Sequence, residues 1–161
     1  MTVTVLDANI LIAAMDTHDA HHAAAAAYLK RAVAVDQLHV PTLNLAEVLV
    51  GQVRQGRGAP AEAAIKALGV GVVSSDSLGA LELATLRANT GLKLPDCVVL
   101  ACALKLDAAL ATTDKVLARE ATKLGLALAL PVNTTEPPGS PVPAAPAADA
   151  ASATTGEART A

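Results

Sequence analysis

Four acidic residues stand where their chemistry would matter: Asp7, Glu47, Asp96 and Asp114. Asp7 ends the apolar run Val3-Thr4-Val5-Leu6, and Asp114 ends the run Ala108-Ala109-Leu110-Ala111-Thr112-Thr113. Asp96 opens a helix behind Pro95, and Glu47 lies in the second turn of a helix that follows a short strand. In a parallel sheet the strands finish at one edge, the crossover helices begin there, and ligands bind in the crevice outside it. Four carboxylates gathered at such an edge repel one another unless a cation joins them. The constellation therefore suggests a hard-metal site, and with it phosphodiester chemistry.

Each acid also has a plainer role. Val99, Leu100, Ala103 and Leu104 follow Asp96 at i+3, i+4, i+7 and i+8, which places its carboxylate at the top of an apolar stripe. A first-turn acid gains ~0.3–1 kcal/mol from the helix dipole, but such acids usually face water, and a charge on the core side needs a partner. Glu47 has Leu43 at i−4, Val50 at i+3 and Asn44 at i−3, so its face is not simply solvated. Asp7 is a candidate N-cap for a helix over 8–15, and Asp114 for one beginning at Lys115. Thr112 and Thr113 offer hydroxyls to a phosphate or a metal-bound water. A chance convergence of four such acids is harder to credit than any one plain role.

The elements that must position them alternate short apolar strands with helices. Strands are expected at 3–6, 37–40, 71–73, 109–112 and 126–130. Helices are expected at 7–15, 18–35, 42–55, 60–68, 75–89, 95–106 and 115–123. Thr42 and Ser75 or Asp76 read as N-caps, Pro60 as a first helical residue, and Gly91 and Gly125 as helix ends. Strands interleaved with helices imply an α/β fold, a three-layer sandwich whose central, mostly parallel sheet is flanked by helices.

From Pro131 onward the chain turns to Pro, Ala, Thr, Ser and Gly. Such a composition buries too little apolar surface to offset its ordering entropy. A single domain over 1–130 with a disordered tail over 131–161 is the expectation. Tyr28 is the only aromatic residue, which excludes an aromatic platform for stacking bases. Cys97 and Cys102 would point roughly 140° apart on a helix at ~100° per residue, so they read as buried free thiols in a reducing cytosol. The N-terminus lacks a basic segment before Asp7, and no apolar run approaches the ~18 residues a membrane helix needs, so a cytoplasmic protein without a membrane partner is expected. The formal charge is −3. Residues 1–130 carry 11 Lys and Arg against 12 Asp and Glu; without the four site acids the balance is 11 against 8, or +3. Charge thus neither supports nor excludes a nucleic-acid partner.

Taken in order, Asp7-Ala-Asn9, Ala46-Glu47, Leu94-Pro95-Asp96 before an Ala-rich helix, and Ala111-Thr112-Thr113-Asp114 resemble a PIN domain, and within it the VapC-type toxins of bacterial toxin–antitoxin pairs. The resemblance covers about 1–132; the Pro- and Ala-rich tail departs from it. It implies an endoribonuclease that uses Mg²⁺ or Mn²⁺ and leaves a 5′-phosphate and a 3′-hydroxyl. It maps the catalytic acids onto Asp7, Glu47, Asp96 and Asp114, with Asp7, Asp96 and Asp114 as metal ligands and Asn9 and Thr112 as auxiliaries. Glu47 would complete the ligand set or orient the attacking water. It also implies a homodimer and a cognate antitoxin that covers the acidic cleft. The Ala-rich stretches 20–35 and 60–68 offer small residues for helix packing in such assemblies.

The RNA backbone would need cations. Lys93 and Lys115 lie nearest the proposed rim, and Arg54 and Arg57 flank a Gly-rich turn; for each the plain alternative is solvated surface charge. His18 and His22 have a spacing that can bind Zn²⁺, but no HExxH or cysteine partner accompanies them, so they and His21 read as helix-start residues. His39 alternates with strand residues and reads as structural. A haloacid-dehalogenase-like phosphatase also begins with an aspartate after its first strand, yet it requires a second aspartate two residues on, where Asn9 stands. The remaining rivals are a PIN nuclease of RNA maturation and a catalytically silent PIN-like binding module.

Overall fold

The structure, a computed structural model, describes residues 1–130. The stretch 131–161, expected as a tail, lies outside the described residues. Strand β1 (Val3–Leu6) leads into α1 (Ala8–Met15) and α2 (His22–Val35), then β2 (Gln37–Pro41), α3 (Thr42–Arg54), α4 (Gly58–Ala67) and β3 (Gly71–Val73). A 3₁₀ turn (Ser75–Ser77), α5 (Ala80–Thr90), α6 (Leu94–Lys105), β4 (Ala109–Ala111) and α7 (Lys115–Lys123) complete the order. The sheet order is β3-β2-β1-β4 and every pairing is parallel. The chain moves outward from β1 through β2 to β3, then returns to place β4 on the other side of β1. The point of reversal, between β1 and β4, is where an open parallel sheet leaves a crevice.

Side chains alternate across the strands, so the sheet feeds two cores. Leu6, Leu38, Val40 and Ala111 face one, packed with Ile10, Leu11, Tyr28, Leu45 and Ile65 from α1 to α4. Val5 and Leu110 face the other, packed with Val99, Leu100, Cys102 and Leu117 from α6 and α7. These are three layers, as the strand–helix alternation predicts. Fully buried side chains such as Leu6, Ile10, Leu100 and Leu110 each contribute about 1.5–3 kcal/mol. Helix α6 is more deeply enclosed than its predicted stripe: every residue from Cys97 to Ala103 is buried, so it is apolar all round and Asp96 sits at its mouth.

Several boundaries differ from expectation, each for a local reason. Helix α2 begins at His22 and not at 18, because the carboxylates of Asp16 and Asp19 accept the N–H groups of His18 (2.9 Å) and His21 (2.7 Å) and hold two turns. His18 and His22 therefore share no helix; the ring Nδ1 of His22 instead meets the carbonyl of Ala13 at 2.9 Å. Thr42 is the first residue of α3 and not its cap; Pro41 holds the cap position in extended backbone, and the Thr42 hydroxyl donates to the Val73 carbonyl at 3.2 Å. Pro60 is the third residue of α4, where a missing N–H also costs no helix bond. A Cβ at Gly58 would stand 2.6 Å from Cγ2 of Val53, so the α3–α4 hairpin closes this tightly only on glycine.

The helix expected over 75–89 divides. Ser74, rather than Ser75 or Asp76, caps a short 3₁₀ turn by accepting from the Asp76 N–H, and α5 then begins after Gly79. Gly91 ends α5 at φ 69°, a left-handed conformation that suits glycine. The strand expected over 126–130 contracts to a single parallel bridge, Leu110 to Leu128. No described helix is long and apolar enough to cross a membrane.

Candidate active site

The carboxyl ends of β1 and β4 deliver Asp7 and Asp114, while Glu47 lies on α3, which follows β2, and Asp96 in the first turn of α6, which follows α5. Asp7 follows β1 and is 6 % exposed. Its N–H donates to the Ala111 carbonyl at 2.9 Å, so the backbone carrying the carboxylate is tied to the end of β4. It occupies the cap position of α1, yet its side chain makes no capping bond to that helix. The carboxylate turns instead to Thr112, whose hydroxyl donates to Asp7 Oδ2 at 2.8 Å. Thr112 Oγ1 in turn accepts from Asn9 Nδ2 at 3.2 Å and from the Asp114 N–H at 3.0 Å. Asn9 Oδ1 accepts from the Thr113 N–H at 3.2 Å.

A hydroxyl has one donor and two acceptor positions, and Thr112 uses all three. The expectation that it offers its hydroxyl to a phosphate or a metal-bound water is thus corrected: the buried Thr112 is spent on orienting Asp7 and the backbone of Asp114. Thr112→Val keeps the shape and deletes this junction. It is expected to destabilise the chain by about 1–3 kcal/mol. It also removes a bond that favours the charged form of Asp7, so Asp7 should titrate at higher pH, which ¹³C NMR of the carboxyl carbon would read. An unmoved midpoint would show that the hydroxyl does not support the carboxylate.

Asp114 Oδ1 accepts from the N–H groups of Val116 (2.7 Å) and Leu117 (3.0 Å). It is the N-cap of α7, and the cap occupies that one oxygen. Asp96 is half-buried at the start of α6, where Oδ2 accepts from the Lys93 N–H at 3.2 Å. Glu47 is exposed on α3. Asn44, one turn earlier on α3, is completely buried, and its Nδ2 donates to the Pro95 carbonyl at 3.3 Å. The sequence marked Asn44 only as a polar neighbour of Glu47. The signal available was a polar residue among Leu45 and Val48, the positions of α3 that face the core.

The electrostatics bind the four into one group. Burial pushes Asp7 up to about 6, with Asp96 and Asp114 adding repulsion and Thr112 opposing it. Burial also raises Glu47, and the charge of Asp96 raises it further. Asp96 is raised by burial and by Asp114, while the Lys93 N–H and ammonium hold it back. Asp96 is therefore the centre: its interactions reach Asp7, Glu47 and Asp114. None of the four carboxylates forms an ion pair with Lys or Arg among the described residues.

A divalent cation suits this donor set. The side chains are hard oxygen donors, mutually repelling and without an ion pair to Lys or Arg among the described residues, and Mg²⁺ or Mn²⁺ selects oxygen donors of this type. As placed, no three Asp, Glu, His or Cys side chains among the described residues stand close enough to close on an ion. The acids are neighbours in charge rather than in contact.

The predicted cations divide. Lys93 lies close enough to lower both Glu47 and Asp96. Lys115 heads α7 directly beside Asp114 and is exposed. Arg54 is exposed on α3 seven residues after Glu47, about two turns along the same face. Arg57 borders a cleft of about 530 Å³ whose lining includes Glu47, Ile12, Met15, Val48 and Gln52.

No curated protein is similar enough to be matched with the chain. Solved structures share its fold. A toxin–antitoxin complex from Klebsiella pneumoniae is 23% identical, with a TM-score of 0.56 over 70% of this chain and 87% of the other. VapBC2 from Rickettsia felis, bound to a DNA fragment from its promoter, is 15% identical, with a TM-score of 0.60 over 78% and 96%. VapBC-1 from nontypeable Haemophilus influenzae is 21% identical, with a TM-score of 0.57 over the same shares, 78% and 96%. The family model for the PIN domain matches residues 4–123, from within β1 to the end of α7 and across all four acids; the chain belongs to the PIN domain family.

Proposed function

We propose that this chain is a metal-dependent endoribonuclease, the toxin of a toxin–antitoxin pair. The observation that carries the reading is the coupling of Asp96 to Asp7, Glu47 and Asp114 at the carboxyl edge of the sheet, with no ion pair from Lys or Arg to any of the four among the described residues. Asp7, Asp96 and Asp114 would hold Mg²⁺ or Mn²⁺, which supplies an activated water and stabilises charge on the phosphoryl oxygens when bound. The chain's own residues do the rest. Thr112 fixes the direction of Asp7, and the cap on α7 fixes Asp114. Glu47, exposed at the rim with a raised pKa, would take a proton from a water or orient it. Lys93 and Lys115 neutralise backbone phosphates on either side, and Arg54 at the end of α3 and Arg57 at the start of α4 extend that track.

The solved neighbours named above are toxin–antitoxin complexes, which supports a cognate antitoxin as partner. The cleft beside Glu47 suits a peptide partner: Ile12 and Met15, 41% and 39% exposed, line it. A segment lying in it would cover Glu47. A homodimer is proposed through the small-residue faces of α2 and α4, where Val33 and Val35 are also exposed.

The test is cleavage of total cellular RNA by purified, antitoxin-free protein in Mg²⁺, Mn²⁺ or EDTA. Discrete fragments with 5′-phosphate ends that require metal are expected. Folded protein that cuts nothing in either metal would sink the nuclease reading. It would favour a binding module built on the same fold.

A further inference from the structure

Asn44 poses a question the proposed chemistry leaves open. It is 0% exposed, and its amide is only half satisfied. Nδ2 donates to the Pro95 carbonyl at 3.3 Å, an acceptor that only a donor can face, while Oδ1 is buried with no hydrogen-bonding partner among the described residues. A buried acceptor left unmade weighs against stability, and an apolar side chain of the same shape avoids that cost. Leucine is such a side chain. Nor would its arrival strand Pro95, because the helical ladder of α6 pairs that carbonyl with the N–H of Val99. For the fold alone, Asn44 is the poorer choice.

The bond's position supplies a reason. Asn44 lies three residues before Glu47, on the same side of α3 and one turn away. Pro95 immediately precedes Asp96 at the mouth of α6. One hydrogen bond thus spans 51 residues of sequence to join the helix that carries Glu47 to the residue beside Asp96. The two carboxylates repel each other, the charge of Asp96 raising Glu47, so their spacing must be set by the helices that carry them.

We propose that Asn44 is a positioning residue that holds Glu47 and Asp96 at the spacing from which both act at one divalent cation. The inference rests on the metal reading above. Groups that orient ligands in this way cost about 10–100-fold in metal affinity when removed.

The test is Mn²⁺ titration of the full-length chain without RNA, reading free Mn²⁺ by electron paramagnetic resonance, beside the Tm of the metal-free protein. Asn44→Leu is expected to keep or raise Tm while weakening Mn²⁺ binding about 10-fold or more. Asn44→Ala, which adds no bulk, takes the same titration if the leucine variant does not fold, and the same weakening is expected. Binding curves that superimpose on the wild type would overturn the proposal. So would a fall in Tm that accounts for the lost affinity, because Asn44 would then serve the fold alone. A wild-type chain that takes up no Mn²⁺ would remove the metal reading itself and this inference with it.

Discussion

Asp96→Asn should abolish metal-dependent RNA cleavage while leaving the fold intact. Asparagine matches aspartate in shape and keeps a side-chain oxygen, so the bond from the Lys93 N–H that starts α6 survives. What disappears is the charge, and Asp96 is the one acid whose charge reaches the other three. Outer partners of metal ligands are worth about 10–100-fold, and a direct ligand at the centre of the group should exceed that range. The fold should not suffer, since Asp96 adds repulsion to Asp7 and Glu47. Tm in EDTA is therefore expected at or above the wild-type value. Single-turnover cleavage of a defined RNA with each protein in Mn²⁺ decides the matter. Activity within a few-fold of wild type would place the catalytic centre elsewhere.

That the sequence exposed this group at all follows from where the acids fall. Asp7 and Asp114 directly follow apolar runs, and a residue after a parallel strand has its location set by the topology alone. Glu47 and Asp96 were legible because each begins or nearly begins a crossover helix at that same edge. The strand–helix alternation likewise carried the three layers, since strands buried on both faces leave continuous apolar runs.

Other features depended on contacts that no local pattern reveals. The start of α2 moved because two aspartates hold turns ahead of it. Thr42 read as a cap because threonine favours caps, but its hydroxyl answers to Val73, 31 residues away. Thr112 looked free because its partners, Asp7 and Asn9, lie more than 100 residues upstream. Asn44 was half visible: its side of α3 could be read, while the bond to Pro95 could not. Spacing along the chain reveals which residues share an edge; it does not reveal how their hydrogen bonds are shared out.

Asp7→Asn is expected to stabilise the metal-free chain above pH 6, and the gain should disappear in acid. Asp7 is 6 % exposed, and burial raises its pKa from 3.8 to about 6. The folded state therefore holds this proton more tightly than the unfolded state. The sign follows: the carboxyl favours the folded state fully below its unfolded pKa, and that contribution is lost as pH rises through about 6. A shift of this size corresponds to about 3 kcal/mol between the two limits. Asparagine escapes the loss because it never ionises, though it accepts the Thr112 hydroxyl less strongly than a carboxylate does. A net gain of about 1–3 kcal/mol at pH 8 in EDTA is expected, or roughly 5 °C in Tm, shrinking toward zero by pH 4. Metal should reverse the order. A cation that binds only the folded wild type stabilises it by about 2.7 kcal/mol at 100 times its Kd, and the variant, lacking a ligand, should gain less. Paired melts at pH 4 and pH 8, with EDTA or Mn²⁺, separate the contributions. A variant less stable than wild type in EDTA at pH 8 would mean that ionised Asp7 is already well compensated by the protein, and that its position owes nothing to an incoming cation.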